Sequence, residues 1–446
     1  MRKMKDSGIE WIGEIPEEWK TRPLKSLFGF GKGLPITKEN LTESGVSVIS
    51  YGQIHSKTND GVHITSDLIR FVDENYLKSN PSSLANKNDF IFADTSEDLE
   101  GCGNCVFNNL DTTLFAGYHT IILQSNTGYN NQYFAYLFKS DIWRKQIREQ
   151  VTGVKLFSIS QKILKSVSVI VPPLSEQQKI AAHLDRICSE IDSVIEKTKA
   201  TIEEYKKLKQ AIITQAVTKG IRKGRKMKDS GVEWIGEIPE EWELRPFRHI
   251  LKERNEKNYP IKSTERLSLS IELGVTLYSE KTTNLDRFKD DFEEYKLAHI
   301  GDLVMNSMNM IVGATGVSDY YGCVSPIYYT FYDENENHIT AKFCEYIFRS
   351  KAMLRVLYSM GKGIYAIVRG DDRVNTCRLK VAKEDLKSLL LPIPSLDEQQ
   401  EIIDYIYKKC FAIDTLIAKK EQLLTELENY KKSVIYEYVT GKKEVG

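Results

Sequence analysis

Residues Met4–Trp19 read MKDSGIEWIGEIPEEW, and 223 positions later Met227–Trp242 read MKDSGVEWIGEIPEEW. Extended to Met4–Lys25 against Met227–Arg248, the two stretches differ at five of 22 positions, which excludes chance. A chain with this duplication folds into two copies of whatever the repeated segment specifies. Within each copy, Ser7 and Glu10 have the S-x-x-E spacing of a helix capping box, and Gly13 is placed to end a short helical turn. Trp11, Ile12, Ile15 and Trp19 are then expected to bury one side of an N-terminal clasp.

A second repeat closes each half. PPLSEQQKI at Pro172–Ile180 matches IPSLDEQQEI at Ile393–Ile402, with Leu174 and Leu396 offset by 222. Ser175 or Asp397, with Gln178 or Gln400 three residues on, reads as a capped helix start. Beyond each start, positions recur in alternating steps of four and three. The first series is Ile180, Leu184, Ile187, Ile191, Val194, Thr198, Thr201, Tyr205, Leu208, Ile212 and Gln215. The second is Ile402, Ile406, Lys409, Ile413, Leu416, Lys420, Leu423, Leu427, Tyr430, Val434 and Glu437. That is the seam of a coiled coil. Its expected core is Ile187, Ile191, Val194, Tyr205, Leu208 and Ile212 against Ile413, Leu416, Leu423, Leu427, Tyr430 and Val434. Gly220 and Gly441 are the expected stops. A helix over residues 176–219 is roughly 65 Å long. Two such helices in one chain are most simply paired antiparallel, which relates the halves by an internal pseudo-twofold axis.

The two interiors, unlike their frames, diverge. Landmarks still align: NDFIFADTS (88–96) with GDLVMNSMN (301–309), and YFAYLFKS (133–140) with FCEYIFRS (343–350). Short β-rich stretches such as SVISYGQI, HTIILQS and PIYYTFY mix with these helices. The expected fold class is α+β, with two related globular domains separated by two long antiparallel coiled-coil helices. The expected division is 1–166, 167–226 (first helix and basic linker), 227–388 and 389–446.

Catalytic motifs do not emerge. GFGKGL (29–34) lacks the spacing of a phosphate loop and reads as a flexible loop. CGNC (102–105) has no second pair of ligands for zinc. The E-x-K within DDFEEYK (290–296) lacks a nuclease context, and the seven histidines are dispersed. KGIRKGRKMK (219–228) reads as a solvated basic linker that could touch phosphates. With 62 basic and 62 acidic side chains, bulk charge gives no general affinity for nucleic acid, although a local basic face remains open. Seven scattered cysteines and no apolar run of membrane length lead to the expectation of a reduced, cytoplasmic protein without membrane association.

GIEWIGEIPEEW, the PPLSEQQKI and PSLDEQQEI helix starts, and their alternating order together resemble the specificity subunit of type I restriction–modification enzymes, over essentially the whole chain. The resemblance implies two target-recognition domains, each reading half of an asymmetric bipartite site in double-stranded DNA. Spacer helices would set the gap and dock methyltransferase (modification) subunits, and restriction–translocase subunits would complete the assembly. S-adenosylmethionine, ATP and Mg belong on this reading to the partner subunits, and the chain itself binds no cofactor or metal and performs no catalysis. Base readers are expected among polar loop residues: Gln53, Ser96, Lys155, Ser158 and Ser160 in the first half, and Asn306, Ser307, Asn309, Lys362, Arg369 and Arg373 in the second. Two readings compete. A protein-assembling scaffold would bind DNA not at all or without salt dependence, and an enzyme with an unrecognised site would modify or cut DNA unaided.

Overall fold

The computed structural model describes every residue except 1, 11, 126–127, 282–290, 335–337, 365–377 and 446. Expectations for Trp11, Arg369 and Arg373 therefore lie outside the described residues. The chain divides into two compact units, Met1–Thr198 with Gln422–Gly446, and Lys199–Glu421. Each long helix contributes one part to each unit.

The divergent interiors share one sheet. In the first unit four antiparallel strands run in the order Cys105–Phe107, Phe90–Ala93, Thr120–Ser125, Phe28–Lys32. In the second the order is Thr315–Val317, Leu303–Asn306, Tyr328–Tyr332, Lys252–Arg254. Two helices cover each sheet, Asn131–Lys139 and Asp141–Arg148 in one, Ile339–Arg349 and Lys351–Met360 in the other. Apolar faces explain the packing. Phe28, Phe90, Phe134, Phe138 and Trp143 stack into one buried cluster, and Phe247, Phe331 and Phe348 do the same in the second unit. What differs is the added structure. The first unit carries a five-stranded sheet around a parallel pair, Val46–Ile49 with Leu114–Ala116. The second carries smaller ladders, Leu267–Ser270 with Gly274–Leu277 and Lys296–Ala298 with Gly322–Val324.

The opening repeat is a β-hairpin whose loop carries the expected short helical turn: the Ile9 carbonyl accepts from the N–H groups of Ile12 and Gly13 (both 3.0 Å), and Gly13 ends it at φ +66. Met4–Asp6 pairs with Glu14–Pro16, and Met227–Asp229 with Glu237–Pro239. Gly8, with φ +72, takes the chain out of helical space directly after Ser7. The Ser7 hydroxyl then accepts from the Ile9 N–H (3.1 Å), and the Ser7 N–H donates to the carbonyl of Gly13 (2.9 Å). This is the local side-chain bonding by which serine competes with helix. Ile12, Ile15 and Trp19 are buried as the clasp requires. GFGKGL also departs from expectation: Phe28–Lys32 is a sheet strand, and a side chain at Gly33 would stand 2.0 Å from the Gly117 carbonyl.

The long helices are Leu174–Lys219 and Leu396–Val439. Each starts before the expected caps, so Ser175 and Asp397 lie inside the first turn. Their glycine stops stand as expected, Gly220 at φ +72 and Gly441 at φ +70, both left-handed. In the first unit Asp192 pairs with Lys431 at 2.6 Å, and in the second Lys209 pairs with Asp414 at 2.6 Å. Early residues of one helix thus meet late residues of the other, the antiparallel sense. The paired positions obey the repeat: Asp192 and Asp414 lie 222 apart, as do Lys209 and Lys431.

The buried seam has a different phase from the expected one. On the first helix it runs Leu184, Cys188, Ile191, Ile195 and Thr198 in the first unit, then Ile202, Ile213 and Ala216 in the second. On the second helix it runs Ile402, Ile406, Cys410 and Ile413 in the second unit, then Val434 and Tyr438 in the first. Ile191, Ile413 and Val434 therefore sit in it as expected, and Ile187, Tyr205, Ile212 and Leu427 are half-buried. Val194 (44% exposed), Leu208 (48%), Leu416 (44%), Leu423 (38%) and Tyr430 (56%) lie outside it. On the first helix burial falls one residue later than expected, at Cys188, Ile195, Ile202 and Ile213, because apolar side chains occupy adjacent sites such as Val194–Ile195 and a four–three series can enter them in either phase. Thr198 belongs to the seam: it is buried and its hydroxyl donates to the Val194 carbonyl (2.8 Å). Ile195→Ala should cost about 2–5 kcal/mol, while Val194→Ala should stay within about 0.5 kcal/mol, both read from urea unfolding of the full chain.

Candidate functional site

A carboxylate in the first turn of each long helix gathers the duplicated frame of its unit. In the first unit the Trp19 indole N–H donates to Glu176 Oε2 (2.8 Å), and the Arg2 guanidinium bonds Glu176, at 2.7 Å to Oε2, and also Glu18. In the second the Trp242 indole N–H donates to Glu398 Oε2 (3.2 Å), and Arg225 bonds Glu398 and Glu241. Each arginine also lies over its tryptophan ring, 5.5 Å and 5.9 Å from the centroid. The hydrogen bond to Glu176, working against the cost of burial, raises the pKa of Arg2, and that to Glu398 raises Arg225's. Gln177 and Gln399 turn back to bond the Pro172 and Pro394 carbonyls, at 2.8 and 2.9 Å, whereas Gln178 and Gln400 are exposed. The basic linker is accordingly not simply solvated. Arg225 completes the clamp and Arg222 bonds Glu401 at 2.8–2.9 Å.

Strand pairing reinforces the clamp. Lys20–Pro23 pairs with Ser168–Val171 and Glu243–Pro246 with Leu390–Ile393, tying each opening to the residues that enter the helix. In the first unit the C-terminal segment joins the same core: Tyr133 Oη donates to the Val439 carbonyl (2.9 Å) and Lys442 Nζ to that of Glu14 (2.7 Å).

The expected readers fall at the other end of the shared sheet strands. Thr95–Ser96 pairs with Phe157–Ser158, and the Ile159 N–H donates to the Asp94 carbonyl (2.7 Å). The equivalent bond in the second unit runs from the Val381 N–H to the Ser307 carbonyl (3.0 Å), just beyond a ladder of Lys362–Ile364 with Arg378–Lys380. The short helix Tyr51–Ile54, which carries Gln53, lies beside this edge, because His55 Nε2 stands 2.8 Å from the Thr95 carbonyl oxygen. The structure thus brings Gln53, Ser96 and Ser158 to one edge.

Several of these side chains are engaged within the chain. Ser96 is buried and donates to the Asp98 carbonyl (2.7 Å), Gln53 accepts from the Ser50 N–H (3.2 Å), and Ser160 caps a helix by accepting from the Ile163 N–H (3.3 Å). Asn306 is buried and accepts from the Met308 N–H (3.1 Å), and Ser307 is fully buried. Lys155, Ser158 and Asn309 are exposed, as is Lys362, with Asp385 3.5 Å away. Sequence reasoning missed an aromatic group at this edge. Tyr51 packs against Tyr118, His119 and His55 with ring centroids 5.6, 5.5 and 6.3 Å apart. Histidines 64 positions apart looked dispersed, although YGQIH and GYHT each place tyrosine near histidine.

The CGNC pair is buried structure. Burial pushes the Cys105 thiol up to about 12 and raises Cys102 as well, so both stay protonated. Among the described residues no group of three or more His, Cys, Asp or Glu could hold a metal ion, and no helix is long and apolar enough to cross a membrane.

Comparison with known proteins converges on one family. The model of the type I restriction modification DNA specificity domain matches residues 16–204. The putative type I restriction enzyme MjaX specificity subunit of Methanocaldococcus jannaschii is 24% identical over 97% of this chain and 96% of its own length. The StySPI specificity subunit of Salmonella potsdam is 22% identical over 96% and 90%. Among solved structures, a chain of a type I R-M system superposes with TM-score 0.65 at 14% identity, covering 96% of this chain and 99% of that one. The HsdS subunit from Thermoanaerobacter tengcongensis superposes with TM-score 0.52 at 14% identity, covering 96% and 98%.

Residues 16–204 thus match the specificity-domain model, and nearly the whole chain is similar to type I restriction enzyme specificity subunits. The two copies of the clamp differ in burial. Arg225 and Glu398 side chains are 9% and 3% exposed, against 17% and 19% for Arg2 and Glu176. Glu398→Ala strands a buried guanidinium and should lower unfolding stability by about 3–5 kcal/mol. Glu176→Ala should cost less, as judged by the midpoints of denaturant unfolding.

Proposed function

We propose that each unit reads one half of an asymmetric bipartite site in double-stranded DNA, and that the paired long helices set the unspecified gap and dock methyltransferase subunits. The observation that carries this reading is a duplicated frame with unlike attachments. Clamp, sheet order and helix pair recur in both units, while the edges at Ser96–Ser158 and at Lys362–Lys380 are built differently. A common mount with two different reading surfaces suits recognition of two different base sequences. Target-recognition domains on this reading correspond to about 1–166 and 227–388.

The exposed apolar positions beside the seam support docking. Val194, Leu423 and Tyr430 in the first unit, and Leu208 and Leu416 in the second, are exposed outside the seam, with Leu416, Leu423 and Tyr430 at seven-residue spacing. In an antiparallel pair these positions fall on the same side of both helices. Apolar side chains at seven-residue intervals are what a further helix packs against, and helices from methyltransferase subunits would fill that place. Those subunits would carry S-adenosylmethionine, and translocase–restriction subunits would carry ATP and Mg.

Exchanging residues 1–166 for those of a relative should change one half of the methylated motif and leave the other half and the gap intact, as mapped by long-read sequencing of host DNA. Joint change of both halves would refute the two-reader arrangement. Leu423→Glu with Tyr430→Glu should leave folding within about 1 kcal/mol, since both side chains are exposed, and reduce co-purification of the methyltransferase subunit at least tenfold.

A further inference from the structure

The reading edge of the first unit is organised by a residue that none of the expected readers includes. The Asp94 N–H donates to the His119 carbonyl (3.0 Å), and the Asp94 carbonyl accepts from the Ile159 N–H (2.7 Å). Its carboxylate accepts from the Thr95 hydroxyl (2.7 Å) and stands 3.3 Å from His119 Nδ1. One residue therefore fastens together the turn at Tyr118–His119, the ladder at Thr95–Ser96 and the segment that ends the 150–158 loop.

Two features at this edge are costly unless something uses them. His119 holds a left-handed backbone, φ +56, and its side chain is 59% exposed. A non-glycine residue in that region is strained, and the surrounding structure must impose the conformation. The loop tip presents Val154 at 96% exposure and Leu156 at 58%, flanking the exposed Lys155. The tip is tightly turned, because a side chain at Gly153 would stand 2.2 Å from the Leu156 carbonyl oxygen. Water gains nothing from two aliphatic side chains set beside a lysine. A base edge in the major groove does: a thymine methyl takes an apolar contact, and guanine O6/N7 or adenine N7 takes a donor.

The surrounding charge suits duplex DNA. Residues 150–166 contain three lysines and no acidic residue, and Lys32, paired to Ile121, flanks the His119 turn. Lys32 and Lys162 are exposed. Asp94 and Glu97 oppose phosphates here, so the phosphate contacts belong to the lysines on either side.

Resting on the bipartite reading above, the structure assigns base reading in the first unit to His119 and to the tip Val154–Lys155–Leu156, with Asp94 as the positioning residue and the lysines at 32 and 162 as backbone contacts. The occupant is the major groove of one half-site.

The test uses the full chain assembled with its methyltransferase subunits. His119→Ala, and separately Val154→Ser with Leu156→Ser, should lower methylation of the wild-type motif at least tenfold and relax bases in one half only, with thermal midpoints unchanged. Lys32→Ala and Lys162→Ala should instead weaken binding to all duplexes alike, each reducing the log–log salt slope by about 0.9. Wild-type rates and an unaltered motif in both the His119 and tip variants would overturn the assignment. So would a tip variant that keeps the motif but loses the methyltransferase subunit, which would make the tip a protein contact. If the wild-type assembly itself methylates no bipartite motif, the bipartite reading fails first and the assignment falls with it, an outcome distinguishable from failure of the variants alone.

Discussion

A carboxylate at the start of each long helix is the contact on which the frame depends. Glu176 and Glu398 each take an indole N–H and an arginine fork. The geometry joins three distant parts of the sequence: the basic residue before the opening hairpin, the tryptophan after it, and the helix roughly 155 residues later. Charge and hydrogen bonds are mutually satisfied, so neither a buried guanidinium nor a buried carboxylate is left unpaired. Directional bonding of this kind fixes orientation as well as proximity. On the proposed bipartite reading, that fixed orientation is what lets contacts meet base edges.

The seam between the long helices shows how one pattern can carry two messages. Adjacent apolar residues mark both a buried line and a neighbouring exposed line, and the burial is decided by which line meets the other helix. Ile195 and Thr198 are buried whereas Val194 is exposed. A threonine in the seam costs little because its hydroxyl bonds the helix's own carbonyl. The exposed line is then surplus apolar surface, suited to the partner helices proposed for docking.

The recognition edge obeys a different logic. Its scaffold was legible: the strands from NDFIFADTS and GDLVMNSMN and the helices from YFAYLFKS and FCEYIFRS all form where apolar patterning places them. The individual readers were less so. Ser96, Ser160 and Gln53 are polar residues on the right segments, but each satisfies a backbone group of its own chain. Choosing readers by residue type selects equally for caps and turns, since the same donors and acceptors serve both. His119 and Val154 carry no such signature in sequence; an imidazole in a strained turn and an aliphatic tip become visible only through φ and exposure.

The sequence by itself determined the duplication, the α+β interiors, the two long antiparallel helices, their glycine stops and the resemblance to specificity subunits. These come from identity between repeats and from periodicity, which are local or comparative properties. Tertiary structure alone decided that the short turn after Ser7 sits in the loop of a hairpin, Met4–Asp6 with Glu14–Pro16. It also decided which of two neighbouring apolar lines is buried, and that Glu176 and Glu398 anchor the opening hairpins. Each of these depends on what a side chain meets from a remote part of the chain, and a pattern along one strand of sequence does not contain its partner.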